Sequence, residues 1–335
     1  PQGFLGRTFA HRRGREFGVP EDLNAWQLGH VLQAVARAGG TEAGDLLIGG
    51  EAVRAALAAL DAPADSVHSD VRLQRYPERA AAALEGEDVG SSPGGEQPKF
   101  TATVEADGHR VAVLVKFAEP DAGPAAERWS DLLACEHLAL ECLREAGIPT
   151  AATSVLQGER LRFLEVQRFD RTPDVLGRRG FVSLQSLAMA FIGEGTLDWA
   201  RAGERLQADR WITQDTASTM AKVHAYGRLI GNSDMHQRNV GFHFVDRGAL
   251  PLAPAYDMLP MSLAPSRLGV LRQDAPLEAV APRGSGELAH LRWAAPLAAE
   301  FWERVAGEAR VGSAGLRALA AVNAERVRAM GARFG

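Results

Sequence analysis

Asn232-Ser-Asp234-Met-His236-Gln-Arg-Asn239 is the stretch on which the reading of this chain turns. The octet holds two of the four asparagines in 335 residues. Four residues separate Asp234 from Asn239. A carboxylate can accept a proton and an amide oxygen can reach a cation, so the two can serve one reacting group from a single irregular loop. The plainer alternative is a capped surface turn, because Asn, Ser and Asp favour turns whatever their function. The surrounding sequence decides between them.

Downstream, residues 240–245, a turn at Asp246-Arg-Gly248 and residues 250–257 read as a hairpin. Its second arm is expected to bring Asp257 beside Asn239, giving a hard oxygen pair that suits Mg²⁺ completed by phosphates and water. Upstream, Gly90-Ser91-Ser92-Pro93-Gly94-Gly95 is glycine-rich, but Glu96-Gln97-Pro98-Lys99 follows it. That departs from the Gly-Lys-Ser/Thr ending of a nucleotide-binding P-loop, and a strand rather than a helix comes next. A glycine loop between strands is what protein-kinase folds lay over ATP phosphates, and Asp-x-x-x-x-Asn is the spacing of their catalytic loops. A plain surface turn is the alternative for the glycine stretch.

Lysine placement favours the kinase reading. The chain has 37 Lys and Arg, of which only Lys99, Lys116 and Lys222 are lysine. Lys116 ends the apolar run 111–115, where a compact ammonium on a flexible stem can meet a phosphate in a way Arg's planar fork does not reproduce. Glu136, in the helix that follows, is a candidate partner for Lys116, with Glu127, Glu141 and Glu145 as neighbouring alternatives. His236 stands near the proposed phosphate chemistry or holds the loop. His243 reads as structural, and neither fits a zinc pattern.

Around these motifs the organisation is α+β. Residues 1–86 are Ala-, Arg- and Glu-rich with helical periodicity, for example Leu28, Val31, Leu32 and Val35. Residues 87–168 carry the glycine loop, a hairpin of 100–105 and 111–117 joined through Asp107-Gly108, a helix over 124–146 and two further strands, 153–156 and 161–167. Residues 169–335 are chiefly helical, closing with helices near 295–310 and 313–331. The expected architecture is a two-lobed protein-kinase-like fold, with a β-rich N-lobe and a mostly helical C-lobe.

Composition excludes several classes. A net charge of −5 argues against nucleic-acid binding by bulk charge. No apolar run approaches the roughly 18 residues of a spanning helix, and no apolar signal core opens the chain, so no membrane association is expected. Cys135 and Cys142, seven apart in one helix, are about 10 Å apart, too far for a disulfide. A reduced, cytoplasmic protein is the expectation. The start at Pro1 raises the expectation of an upstream segment.

At these residues the sequence resembles the HipA-like serine/threonine kinases, toxins of bacterial toxin–antitoxin modules. The resemblance is carried by Val89-Gly-Ser-Ser-Pro-Gly-Gly-Glu-Gln-Pro-Lys99, Val113-Leu-Val-Lys-Phe117, Cys135-Glu-His137, Val166-Gln-Arg-Phe-Asp-Arg171, Ile230 to Asn239, and Leu252-Ala-Pro-Ala-Tyr-Asp-Met-Leu259. The opening Pro1-Gln-Gly-Phe-Leu-Gly-Arg7 and Gly44-Asp-Leu-Leu-Ile-Gly49 are similar to the YjjJ branch of that family. The resemblance implies Asp234 as catalytic base, Asn239 and Asp257 as Mg²⁺ ligands, and Lys116, Gly94, Gly95 and His236 around the ATP phosphates. It implies Gln167 to Phe169 as the adenine-side hinge and Ser92, or its neighbour Ser91, as a site of autophosphorylation that silences the kinase. It further implies a protein substrate related to translation, such as an aminoacyl-tRNA synthetase, and an antitoxin partner. Gln167 stands where the hinge often has Glu, and Met235 where an acidic residue is frequent. Two other classes remain: a metal-dependent nuclease built on Asp234, His236, Asn239 and Asp257, in which Lys116 has no task, and a non-catalytic regulatory pseudokinase.

Overall fold

Asp107 and Gly108 both take left-handed φ values, 50° and 79°, as a two-residue hairpin turn matched to strand twist requires. The computed structural model describes residues 3–38, 42–61, 66–85, 97–174, 177–193, 197–266, 269–271 and 275–335. The turn joins β2 (Lys99–Ala106) to β3 (His109–Ala118) in an antiparallel pair that sets Phe100 opposite Val115 and Val104 opposite Val111. β5 (Arg162–Gln167) pairs on the other side of β3, and β4 (Thr153–Gln157) closes that edge. The opposite edge is β1 (Ser66–His68), parallel to β2. Three residues are too few to show an alternation, so β1 is invisible in a segment whose sequence reads as helical.

By contacts the chain divides into two units. The first comprises residues 1–120, 154–180 and 265–270. It contains the sheet together with α1 (Gly3–Phe17), α2 (Leu28–Ala38), α3 (Gly50–Asp61) and α4 (Arg72–Leu84). α4 lays Tyr76 edge-on against Phe100 and Phe163, with ring centroids 5.3 and 5.4 Å away. The Tyr76 hydroxyl donates to Glu165 at 2.6 Å. Burial, then this hydrogen bond, raises the phenol well above its ordinary range.

The second unit comprises residues 121–153, 181–264 and 271–335. Its first helix, α5 (Pro124–Glu145), ends at a turn where Gly147 takes φ 81°. The division expected from sequence groups this helix with the sheet, whereas its contacts group it with the second unit. The physical reason is its buried side: Ala134, Cys135, Leu138, Ala139, Leu140, Cys142 and Leu143 belong to the helical core. That core also takes in α6 (Leu184–Leu187), α7 (Trp199–Ala208), α8 (Gln214–Leu229), α9 (Ser285–Gly307) and α10 (Ala314–Phe334). α9 starts ten residues before its expected beginning and runs through Pro296, held by buried Leu291, Ala294, Ala295 and Ala298 on both sides. Neither cysteine is in a disulfide, and both are buried. Among the described residues no helix is long and apolar enough to cross a membrane.

The expected hairpin after the octet is thinner than its pattern suggests. β7 (Gly241–His243) pairs with β6 (Phe181–Ser183). The returning arm adds His243 N to Pro251 O and Ala253 N to Gly241 O, both 2.9 Å, around a single Phe242–Leu252 bridge. Pro251 and Pro254 carry no N–H, which limits the ladder this arm can form.

Candidate active site

α8 delivers the octet. It ends in a paired closure: Gly231 N donates to Arg228 O at 3.3 Å and Asn232 N to Gly227 O at 2.8 Å, with Gly231 at φ 75°. This double hydrogen bond with a left-handed glycine stops a helix and turns the chain sharply. The octet that follows is irregular, so its backbone polar groups need partners from elsewhere.

Side chains supply them at alternate carbonyls. Asn239 Nδ2 donates to Asp234 O at 3.0 Å, Trp199 Nε1 to His236 O at 3.1 Å, and the Tyr256 hydroxyl to Arg238 O at 2.6 Å. Gln237 Nε2 donates to Leu197 O at 2.8 Å, while Gln185 N and Leu184 N donate to the carbonyls of Gln237 and Val240 at 3.0 and 2.9 Å. The loop is thus braced by Leu184, Gln185, Leu197 and Trp199 on one side and by Tyr256 of the returning arm on the other.

Asp234 and His236 are held with their side chains open to solvent, 47% and 40% exposed, and His236 Nε2 stands 3.9 Å from Asp234 Oδ1. Asn239 is buried at 9%. Its Nδ2 is committed to a carbonyl, which orients its Oδ1 as the acceptor available to a cation; the reversed amide would set oxygen against oxygen. Asn239, Tyr256 and Met258 line one small cavity, so the two expected cation-binding segments are adjacent. Asp257 itself takes φ 56°, an uncommon conformation for a side-chain-bearing residue that Asp tolerates better than most. An amide oxygen and a carboxylate are hard donors that fit Mg²⁺, which keeps much of its shell for water and phosphate. Among the described residues no cluster of three His, Cys, Asp or Glu forms, as a site of this sparse kind does not require one.

In the sheet unit, the register sets Lys116 opposite both Lys99 on β2 and Leu164 on β5. Two of the three lysines therefore share one face as direct cross-strand neighbours. Lys116 is 6% exposed. The strand entry is fixed by Phe117 N donating to Pro98 O at 3.1 Å and by Gln97 Nε2 donating to Phe117 O. Gln167 closes β5 opposite Val113, and Phe169 lies partly exposed in the turn beyond it. That turn is tied down by Asp170, which accepts from Gly44 N at 2.9 Å, from both Arg168 nitrogens at 3.0 and 2.8 Å, and from Arg171 at 2.9 Å. Burial alone would raise the Asp170 carboxyl, but Arg168 and Arg171 hold it below its usual range. Burial pushes Arg171 down to about 10. Of the four glutamates weighed on α5, Glu136 alone is buried; Glu141 pairs with Arg144 and Glu145 with Arg304. Ser91, Ser92, Gly94 and Gly95 lie outside the described residues.

Several contributors are hidden from the sequence. Asn232 lies in the octet already singled out and Tyr256 beside Asp257, but nothing in the sequence marks either as a brace. Trp199 reaches the loop from 37 residues away, and nothing in its own neighbourhood announces it.

The family model for the HipA-like C-terminal domain matches residues 91–321, and that for the YjjJ-like toxin middle domain matches residues 1–57. The chain is 37% identical over 329 residues to Toxin YjjJ of Escherichia coli strain K12, covering 98% of this chain and 72% of that protein. It is 33% identical over 100 residues to putative kinase Y4dM of Sinorhizobium fredii, covering 29% of this chain and 23% of that one. Its fold is similar to HipA of Shewanella oneidensis MR-1, solved as a complex with HipB and operator DNA, with a TM-score of 0.55 at 16% identity over 98% of this chain and 87% of that one.

Proposed function

The chain belongs to the HipA-like family, in its YjjJ branch, and from that premise we propose that it is a toxin acting as an ATP- and Mg²⁺-dependent serine/threonine protein kinase. The observation that carries the reading is the braced loop: Asp234 is exposed on it, Asn239 has its amide oxygen set free for a cation, and Asp257 is on the adjoining arm. The substrate hydroxyl oxygen attacks the γ-phosphorus of ATP. Its bond to phosphorus forms as the bond to the β,γ-bridging oxygen breaks, ADP departs with that electron pair, and the hydroxyl proton passes to the Asp234 carboxylate. Asn239 and Asp257 would hold Mg²⁺, which when bound neutralises charge developing on the phosphate oxygens. Lys116 serves the phosphates as a point charge, His236 stands beside them, and the backbone of Gln167 to Phe169 takes the adenine edge.

The protein substrate on this reading is translation-related, an aminoacyl-tRNA synthetase being the family expectation, with an antitoxin as partner. Ser92 or Ser91 is the autophosphorylated residue, beside Gly94 and Gly95 in the phosphate-covering loop. The test is incubation with γ-labelled ATP and Mg²⁺ followed by mass spectrometry. Wild type should gain one phosphate at Ser91 or Ser92, and Asp234→Asn should gain none. Undiminished incorporation in Asp234→Asn removes Asp234 from the role of base.

A further inference from the structure

Asn232 is 4% exposed, and both ends of its amide are engaged. Its Oδ1 accepts from Asp234 N at 3.0 Å. Its Nδ2 faces Met258 Sδ at 3.4 Å and the Asp257 carbonyl at 3.5 Å. The orientation follows from the partners, since a backbone N–H needs an acceptor and a carbonyl needs a donor. One rigid planar group therefore touches the residue proposed as base and the residue proposed as cation ligand, which are 23 positions apart in sequence.

The contact at Asp257 matters because of that residue's φ of 56°. A left-handed non-glycine residue persists only when its surroundings over-determine it, and such residues gather at functional sites. Asn232 meets the peptide leaving Asp257 from the side, while the Tyr256 hydroxyl anchors the peptide entering it to Arg238. An accepting oxygen alone would still form the turn onto Asp234 N, as Ser does. Joining Asp234 N to the Asp257 carbonyl takes a group that both accepts and donates across a fixed width.

We infer that Asn232 is a positioning residue that couples the proton-accepting loop at Asp234 to the cation-binding arm at Asp257. The inference rests on the kinase reading above. Cation binding should therefore tighten the loop, and loosening the amide should weaken cation binding without touching a ligand.

The test uses the full chain with ADP, so that no turnover is needed, and Mn²⁺ followed by electron paramagnetic resonance. Asn232→Ser and Asn232→Ala should each bind Mn²⁺ about tenfold more weakly than wild type. Met258→Leu, which removes the sulfur but keeps Asn232 beside the Asp257 carbonyl, should lose clearly less affinity than either Asn232 variant. Amide exchange of Asp234 N–H in metal-free protein should quicken in Asn232→Ala and change little in Asn232→Ser. Should the Asn232 variants fail to fold, wild type alone decides: loading with Mn²⁺ and ADP should slow Asp234 N–H exchange at least tenfold, and unchanged exchange overturns the coupling. Equal Mn²⁺ affinity in wild type and Asn232→Ser, or an equal loss in Met258→Leu, overturns this inference alone. No Mn²⁺ binding by wild type with ADP overturns the kinase reading with it.

Discussion

Replacing Tyr256 by Phe deletes one oxygen atom and separates the staple from the packing. The hydroxyl donates to Arg238 O at 2.6 Å, joining the residue before Asp257 to the residue before Asn239. Burial, then the neighbouring Asp257 carboxylate, raises the phenol's pKa above its ordinary value, so it remains a donor throughout any usual assay range. Arg238 is exposed, so water can take over its carbonyl in the variant. The stability cost should then be an ordinary net hydrogen bond, about 0.5–1.5 kcal/mol. In a unit of this size that is a fall in Tm of roughly 1–6 °C. Catalysis should suffer far more. A misplacement of about 1 Å between groups that must face one phosphoryl centre costs on the order of 100-fold in rate. The expected outcome for Tyr256→Phe is a 10- to 100-fold fall in the initial rate of autophosphorylation at saturating ATP, beside a small shift in thermal unfolding followed by circular dichroism. A rate within twofold of wild type would show that the arm and the loop keep their spacing without the staple, and the reasoning would fail.

Lys116→Met should reduce phosphate transfer by more than 100-fold with the fold retained, and Lys116→Arg should not restore it, because the planar fork cannot replace a compact ammonium at a strand register position; rescue by Arg would refute this. Gly227→Ala should destabilise by about 1–3 kcal/mol by overpacking, since an added methyl collides with Met235 Sδ and comes within 3.3 Å of Met258 Sδ; denaturant unfolding and the transfer rate should fall together as Met235 is driven out of place. Stability should also drop in acid. Burial holds His137 and His224 below their ordinary range, so below about pH 6.5 the unfolded chain binds protons that the fold does not, and stability is lost as pH falls through that value. Urea midpoints measured from pH 8 to 5 should decline below about 6.5, and His224→Leu should flatten part of that slope.

Local rules made the hairpin legible. Alternation over 100–105 and 111–117 with Asp107-Gly108 between them requires only neighbours in sequence, and the observed strands extend it by one residue at most positions. The long helix α5 was equally legible from its proline start and glycine stop. Asp234, Asn239 and Asp257 could be singled out as candidates because they are spaced along one loop and one arm. What escaped was every contact whose partner lies far along the chain. Gly44 N reaches Asp170 across 126 residues, and Trp199 reaches His236 O from another helix. β1 is too short for a period and is made a strand by β2 beside it. The grouping of α5 depended on which neighbours bury Cys135 through Leu143, and its nearly uniform burial leaves no single apolar stripe to point at them.

The distribution of cations argues in the same direction as the loop. Where this fold must hold a buried carboxylate and several carbonyls at once it uses arginine: Arg171 alone bonds Asp170, Gly44 O and Glu42 O, a task for a planar fork with several donors. Lys222 lies 5.4 Å over the Trp293 ring, where its stem packs and its charge meets the π face. Lys99 and Lys116 are placed together by strand register. Their register makes them direct cross-strand neighbours, a placement in which like charges by themselves repel. Two of the chain's three lysines therefore fall at one register position. On the kinase reading proposed above, a phosphate anion would draw on both ammonium groups. The scarcity of lysine is thus informative only together with the strand register.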